Sequence, residues 1–266
     1  MPLDPRWFQL VSLASLLGWG LFGLSFEVTP IQALVTIASA LTTQWVCTRL
    51  WRLPVFEWKS ALITSFSLCL LLRTDTPWFA AFAAFVAMSS KFLVRVRGKH
   101  LFNPANLAVV VGLLSGRCWV SAGQWGNTAL LAFFLAGLGT LVVTRSSRSD
   151  VTIAFFLSWA ALHINRALWL GDPLTIPLHR FQSGALLLFG FFMISDPKTT
   201  PDHPVARVLY ACIVAYVGFS IQFLHFRTNG LMWALVACVP LVPLLDLLFR
   251  ARRFEWSAPS RPWSLA

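Results

Sequence analysis

Residues 182–201 read QSGALLLFGFFMISDPKTTP, and the fold turns on this stretch. From Ser183 to Ser195 it is a glycine-opened, almost wholly apolar run of 13 residues. As a helix at ~1.5 Å per residue it reaches only about 20 Å, short of a ~30 Å hydrocarbon layer. It stops at Asp196-Pro197, where a charge meets a residue without the backbone N–H that a helix needs. A short, interrupted helix at membrane depth survives only where protein or a cavity covers its irregular backbone, and such places often form the binding site.

The rest of the chain is composed for a bilayer. Of 266 residues, 57% are hydrophobic and 12% charged, with a mean hydropathy of +0.70, which excludes an ordinary soluble domain. Ten apolar spans are expected, roughly at 7–26, 30–48, 58–72, 77–94, 106–119, 128–144, 151–170, 182–195, 205–226 and 230–249; the third, fifth and eighth are short. The first lacks a small-x-small cleavage site after Phe26 and reads as a retained helix. An even number of spans places both termini on one side. A cytoplasmic N-terminus then puts sixteen Lys and Arg inside and only Arg73, Arg117, Arg166, Arg180 and Arg227 outside. The net charge of +11 is therefore topological: it implies a multi-pass protein of the inner (plasma) membrane, with both termini cytoplasmic. It implies contact with the lipid bilayer and not with nucleic acid. Tryptophans such as Trp7, Trp58, Trp78 and Trp169 lie near span ends, where an amphipathic ring suits the headgroup level. The five cysteines fall on separate spans without metal-ligand spacing, so no metal site is expected.

The two halves echo each other. Ser60-Ala61-Leu62 opens a short helix that ends at Arg73-Thr74-Asp75-Thr76-Pro77, as Ser183-Gly184-Ala185-Leu186 opens one that ends at Asp196-Pro197. A full helix follows in each, then a break bearing glycine and asparagine: Gly98 to Asn106 in one half, Thr228-Asn229-Gly230 in the other. The third span runs inside to outside and the eighth outside to inside, so the repeats are inverted. The expected fold is all-α: a polytopic membrane protein of about ten transmembrane helices in two inverted five-helix repeats. Residues 1–126 form the first repeat, 127–250 the second and 251–266 a cytoplasmic tail. Such an architecture places a site at the midplane between the halves.

Three motifs carry a resemblance to a known family. They are the helix opened by Ser183-Gly184-Ala185 and closed by Asp196-Pro197, the Phe102-Asn103-Pro104-Ala105 entry to the fifth span, and the last span from Thr228-Asn229-Gly230 to Pro243-Leu244-Leu245-Asp246. The chain resembles the NqrB subunit of the sodium-pumping NADH:quinone oxidoreductase and the RnfD subunit of the Rnf electron-transport complex. In that family a threonine after Ser-Gly-Ala carries FMN through a phosphodiester. Here Leu186 stands at that position and has no hydroxyl to esterify, so covalent FMN is not expected. The family also usually carries an acidic residue where Asn229 stands. The resemblance implies a membrane-embedded electron-transport subunit that binds FMN or riboflavin, or a quinone, non-covalently between the repeats. The chain has no nucleotide-binding or soluble redox domain and no stand-alone catalytic constellation, so its electrons come from partner redox or membrane subunits.

Candidate cofactor-binding residues follow from these breaks. Asn103 is placed to cap the helix opened by Pro104, with Asn106 one turn in. Ser183, Gly184 and Leu186 line the eighth span, and Asn229 stands at the second break. Asp196 is an ionisable group at a short helix end, although turn formation and end-capping beside Pro197 explain it better. Arg166, clustered with His163 and Asn165 and facing Arg180, could hold an anionic group such as a flavin phosphate, or simply snorkel. Two other functions suit the same fold: a small-solute transporter and a non-redox scaffold for partner subunits. If the flavinylation surroundings persist, Leu186→Thr co-expressed with the flavin-transferring enzyme is expected to acquire covalent FMN, read as yellow colour in the acid-precipitated pellet.

Overall fold

Prolines set five helix starts in the computed structural model, which describes residues 4–23, 26–121 and 148–254. A proline in the first turn loses no intrahelical bond and has its φ already set. Such prolines open α1 (Pro5–Phe22), α2 (Pro30–Leu50), α4 (Pro77–Leu93), α5 (Pro104–Leu114) and α9 (Pro204–Phe223). The other described helices are α3 (Trp58–Leu71), α6 (Ser149–Leu170), α7 (Thr175–Arg180), α8 (Gly184–Leu188), α10 (Gly230–Ala237) and α11 (Leu241–Leu248). By length and composition α6 and α9 can each cross a membrane, and α10 with α11 makes a third crossing if the bent pair is one span. The chain is a mostly helical membrane protein. The expected sixth span at 128–144, Trp125 and the tail beyond Phe254 lie outside the described residues.

Two departures from the expected helices have local causes. The last span is not one helix but two, bent by 51°. Pro240 has no N–H for the Val236 carbonyl, which accepts instead from the Val239 N–H at 3.2 Å. The short eighth span is not uniform either. After Leu188 it widens into a π-helical turn, Phe189–Met193, in which the Ile194 N–H reaches back to the Phe189 carbonyl at 2.9 Å. Across from it, the Thr152 hydroxyl of α6 donates to the Gly190 carbonyl at 2.9 Å. A Cβ at position 190 would lie 2.4 Å from the Phe156 ring. The glycine and the widened turn together let this segment press against α6.

Two small antiparallel ladders add to the all-α expectation. β1 (Leu72–Thr74) pairs with β4 (Cys118–Val120), Leu72 opposite Val120, and ties the end of α3 to the end of α5. β2 (Arg95–Val96) pairs with β3 (Lys99–His100) around Arg97 and Gly98, whose φ values of 51° and 82° suit a tight two-residue hairpin. Each ladder supplies partners to backbone groups that the short helices leave over. Arg73 on β1 is buried rather than paired with Asp75: its guanidinium donates to the carbonyls of Cys69 and Leu72 and lies over the Phe26 ring.

Helix α2 packs on α3 and α4, while α9 packs on α6 and α10. Helix α5 contacts α3, α4 and α10, and so connects the two groups. The closest approach to backbone is at Gly230, where α10 begins: a Cβ there would lie 2.4 Å from the Gly218 carbonyl oxygen of α9. That oxygen is backbone and cannot swing aside. Gly230→Ala is therefore expected to lower the thermal unfolding temperature in detergent, at a cost of about 1–3 kcal/mol. Gly18→Ala, where the added carbon meets nothing within 4 Å, serves as the neutral control.

Candidate functional site

The site begins with the problem of the broken helices. Helix α5 opens inside the protein, so its first N–H groups and the carbonyls opposite need partners. Asn103 supplies the first: with extended backbone at the N-cap, its Oδ1 accepts from the Asn106 N–H at 3.1 Å. Its Nδ2 donates to the Met193 carbonyl, the end of the π turn, at 3.3 Å. Asn106, 1% exposed, donates through Nδ2 to the Met232 carbonyl of α10 at 3.0 Å, and its Oδ1 is buried without a hydrogen-bond partner. Asn229 caps α10 from a left-handed conformation (φ 58°), and its carbonyl accepts from the Met232 N–H at 2.9 Å. Asn103 and Asn106, two of the expected site residues, thus meet where α5, α10 and the π turn come together, while Asn229 stands at the start of α10, which packs on Gly218 and Gln222 of α9.

Below this junction lies a cavity of about 80 Å³. Helices α1, α3 and α5 all begin on it, with Arg6, Ser60 and Ala105 in its wall. Asn103, Met193 and Asp196 face it from the break and from the end of the eighth span, with His100 and Lys198 beside them. Asp196 sits in a turn rather than on a helix: its Oδ1 accepts from the Lys198 N–H at 3.0 Å and its carbonyl from the Thr200 hydroxyl at 3.0 Å. Burial pushes its carboxyl above the usual range, against the Lys198 N–H and the nearby Lys91 and Arg148. His100, 4.0 Å away, is pushed down to about 3 by burial and by Lys91, Arg95 and Lys198, so it is neutral. Their contact is therefore not an ion pair.

Ionic ties surround this end of the molecule. Asp4 bridges Arg6 and Lys59, and Arg6 also meets Glu57. Although burial opposes it, hydrogen bonds from Arg6 and Lys59 hold the Asp4 carboxyl at about 2. Lys99 joins Asp202 at 2.8 Å and Asp246 at 3.0 Å, linking the β2–β3 hairpin to α11. Asp246 is thus held by Lys99 from a segment far away in the chain.

The remaining expected residues lie elsewhere. Ser183 is the N-cap of α8, Gly184 begins it, and Leu186 is 6% exposed in the apolar core. They stand at the opposite end of the eighth span from Asp196. Arg166 lies beyond them, 3.7 Å from Asp172, and shares the Phe223 ring with Arg180. His163 is buried among Trp159, Phe219 and Phe223. The eight candidates therefore do not form one pocket. Sequence reasoning passed over Lys91 and Ser60, whose side chains meet at 2.7 Å behind the cavity. The signal was there: Lys91 is the one charge in the apolar run 77–94.

Among the described residues no group of three or more His, Cys, Asp or Glu could hold a metal ion. The covalent FMN that the resemblance raises does not fit position 186, where a buried leucine offers no oxygen.

A helical membrane protein with a polar junction between short, broken helices is the class that these features define. Residues 111–255 match the NQR2, RnfD, RnfE family, more than half of the chain, and the protein belongs to that family. It is similar to the D subunit of the ion-translocating oxidoreductase complex of Cronobacter sakazakii, 29% identical over 161 residues that make up 58% of this chain and 43% of that protein. The same subunit from Escherichia coli O1:K1 is 28% identical over 162 residues, 60% of this chain and 44% of the relative. That from Erwinia tasmaniensis is 28% identical over 141 residues, 53% and 38%. The matched stretch spans less than half the length of these relatives.

The Asp196 environment has a testable sign. An acid whose folded-state pKa is raised above its ordinary 3.8 destabilises the fold increasingly as pH rises from 3.8 to the raised value, and by a constant amount above it. Asp196→Asn keeps an oxygen for the Lys198 N–H and removes that penalty. The variant is expected to unfold at a higher temperature than the parent at about pH 8, with the gap closing toward about pH 4.

Proposed function

We propose that this chain is a membrane-embedded electron-transport subunit of an ion-translocating oxidoreductase complex, and that it binds a quinone-type ring non-covalently in the cavity between α1, α3, α5 and the π turn. The observation that carries this reading is a polar cavity at the mouth of broken helices in an otherwise apolar interior. Family membership and the names of the similar subunits support the assignment to a complex. Partner subunits supply the electrons, because no redox centre can be built from the residues described.

Size selects the ligand. A water needs about 10–15 Å³ on the measure that gives this cavity about 80 Å³, so it has room for several waters. That space suits a ring system of one or two six-membered cycles with two oxygens better than the three fused rings and ribityl chain of FMN or riboflavin. Ile63, Phe192 and Met193 offer the apolar faces for such a ring. Bound there, a quinone would supply the capacity to take up and release electrons and protons at its ring oxygens. The chain's part is to hold the ring, exclude bulk water and present donors to those oxygens.

We read the full molecule as ten spans in two inverted repeats, residues 1–126 and 127–250, in the plasma membrane with both termini cytoplasmic. The succession α3, β1, α4, hairpin, α5 corresponds to α8, turn, α9, turn, α10. In that correspondence Asn103 matches Asn229 and Asn106 matches Met232, and the Asn106–Met232 hydrogen bond lies on the line between the halves.

The test is a titration of protein purified in mild detergent with 2-methyl-1,4-naphthoquinone, following tryptophan fluorescence. Trp7 and Trp58 stack edge-on at 5.7 Å next to cavity residues Arg6 and Ser60 and serve as reporters. Saturable quenching is expected, lost in Ala105→Leu, which fills the wall. No saturable quenching in the parent, or the same quenching in Ala105→Leu, would overturn the reading in favour of a scaffold or a transporter.

A further inference from the structure

Lys91 is an ionisable side chain on an apolar helix, 7% exposed, and none of the described carboxylates comes within ion-pairing distance of it. Glu57 and Asp196 act on it only from further away, as do Arg95 and Arg6. Its Nζ donates to Ser60 Oγ at 2.7 Å and to Gln44 Oε1 at 3.5 Å. A buried ammonium held by neutral groups alone is costly, and its charge is balanced only if something negative comes near it.

The hydroxyls around the cavity show where. Thr64 donates to the Ser60 carbonyl at 2.9 Å, Ser67 to the Ile63 carbonyl at 2.9 Å and Ser195 to the Phe191 carbonyl at 2.5 Å. Each of these protons is committed to its own helix. Ser60 differs. Its oxygen accepts from Lys91, which fixes the lone pair that faces α4, and among the described residues its own O–H has no acceptor. Ser60 lies in the cavity wall, so that proton is available to an occupant. Three helices also begin there, and their N-terminal dipoles favour negative charge.

We propose that Lys91 and Ser60 form a donor arm, ammonium to hydroxyl to cavity, that selects an occupant bearing a negatively charged ring oxygen. Ser60 makes the contact, and Lys91 polarises and orients it from behind. A donor backed by a cation makes a charge-assisted bond of about twice the ordinary strength. The arm rests on the reading of the cavity as a ring-binding site, and it assigns to that site a specificity for anionic over neutral rings.

The experiment compares two probes on the full chain in detergent: 2-hydroxy-1,4-naphthoquinone, ionised at neutral pH, and neutral 2-methyl-1,4-naphthoquinone. The parent is expected to bind the ionised ring at least about tenfold more tightly. Lys91→Gln and Ser60→Ala are expected to abolish that preference while still binding the neutral ring. Lys91→Arg, which keeps the charge, and Ser60→Thr, which keeps the hydroxyl, are expected to restore most of it. Equal affinity for both probes in the parent, or an unchanged preference in Lys91→Gln, overturns the donor arm and leaves the ring-binding site standing. Failure of both probes to bind the parent overturns the site itself. If Lys91→Gln aggregates on size exclusion, the Ser60→Ala and Ser60→Thr pair decides alone.

Discussion

A backbone N–H or carbonyl freed inside an apolar layer has no water to turn to, and everything at the centre of this protein answers to that constraint. Helix α5 opens deep in the structure and the eighth span ends there. Two carboxamides close the account between them. Asn103 accepts from its own helix and donates to Met193; Asn106 donates to Met232. The bonds to Met193 and Met232 join segments 90 and 126 residues apart, so the same contacts that satisfy the breaks also set how α5, α10 and the π turn sit together. An apolar residue at 103 would leave the buried Asn106 N–H without its cap acceptor, which costs more than an ordinary hydrogen bond yields. The polar cavity follows from this, because the chain that must stay irregular here also brings polar side chains inward.

Charge is arranged on the same logic. Several cations at this end are matched to carboxylates rather than left to water: Lys99 to Asp202 and Asp246, Arg207 to Asp150 at 2.5 Å, Arg6 to Asp4 and Glu57. These pairs tie loops to helices. Arg148, at the start of α6, is the contrasting case: it is buried, donates to the Pro197 carbonyl at 3.3 Å and lies over the Phe254 ring. Burial lowers its pKa to about 10, yet it stays charged at neutral pH. It fixes the turn after Asp196 against α6 by its backbone carbonyl rather than by a carboxylate.

How far the residues could be read in advance depends on the range of the forces involved. Prolines at helix starts, the Asn103 cap and the stop near Asp196-Pro197 are set by neighbours within a few residues, and all were legible. The π turn was not, because its cause is Thr152 and Phe156 on another helix pressing on Gly190. The partners of Lys99 and Asp246 were not legible either, being 147 residues apart in the chain. Spacing put the eighth span's serine, glycine and aspartate into one site, whereas the helix between them holds Ser183 and Asp196 at opposite ends. Lys91 was counted among topological charges, since a lysine near a helix end reads the same whether it meets water or, as here, a buried serine.

The π turn has a consequence for how this family's chemistry can change. A π turn carries one more residue than the α turn it replaces, which rotates the later residues by about 100° relative to an uninterrupted helix. The face presented at Leu186 is therefore set by one register and the carbonyl of Met193 by another. The two ends of the span therefore stand in different registers: the side chain at 186 lies in the apolar core, and the Met193 carbonyl receives Asn103 at the far end. A hydroxyl lost at position 186 need not disturb the junction at the other end, so one half of the span is free to drift while the other stays under constraint.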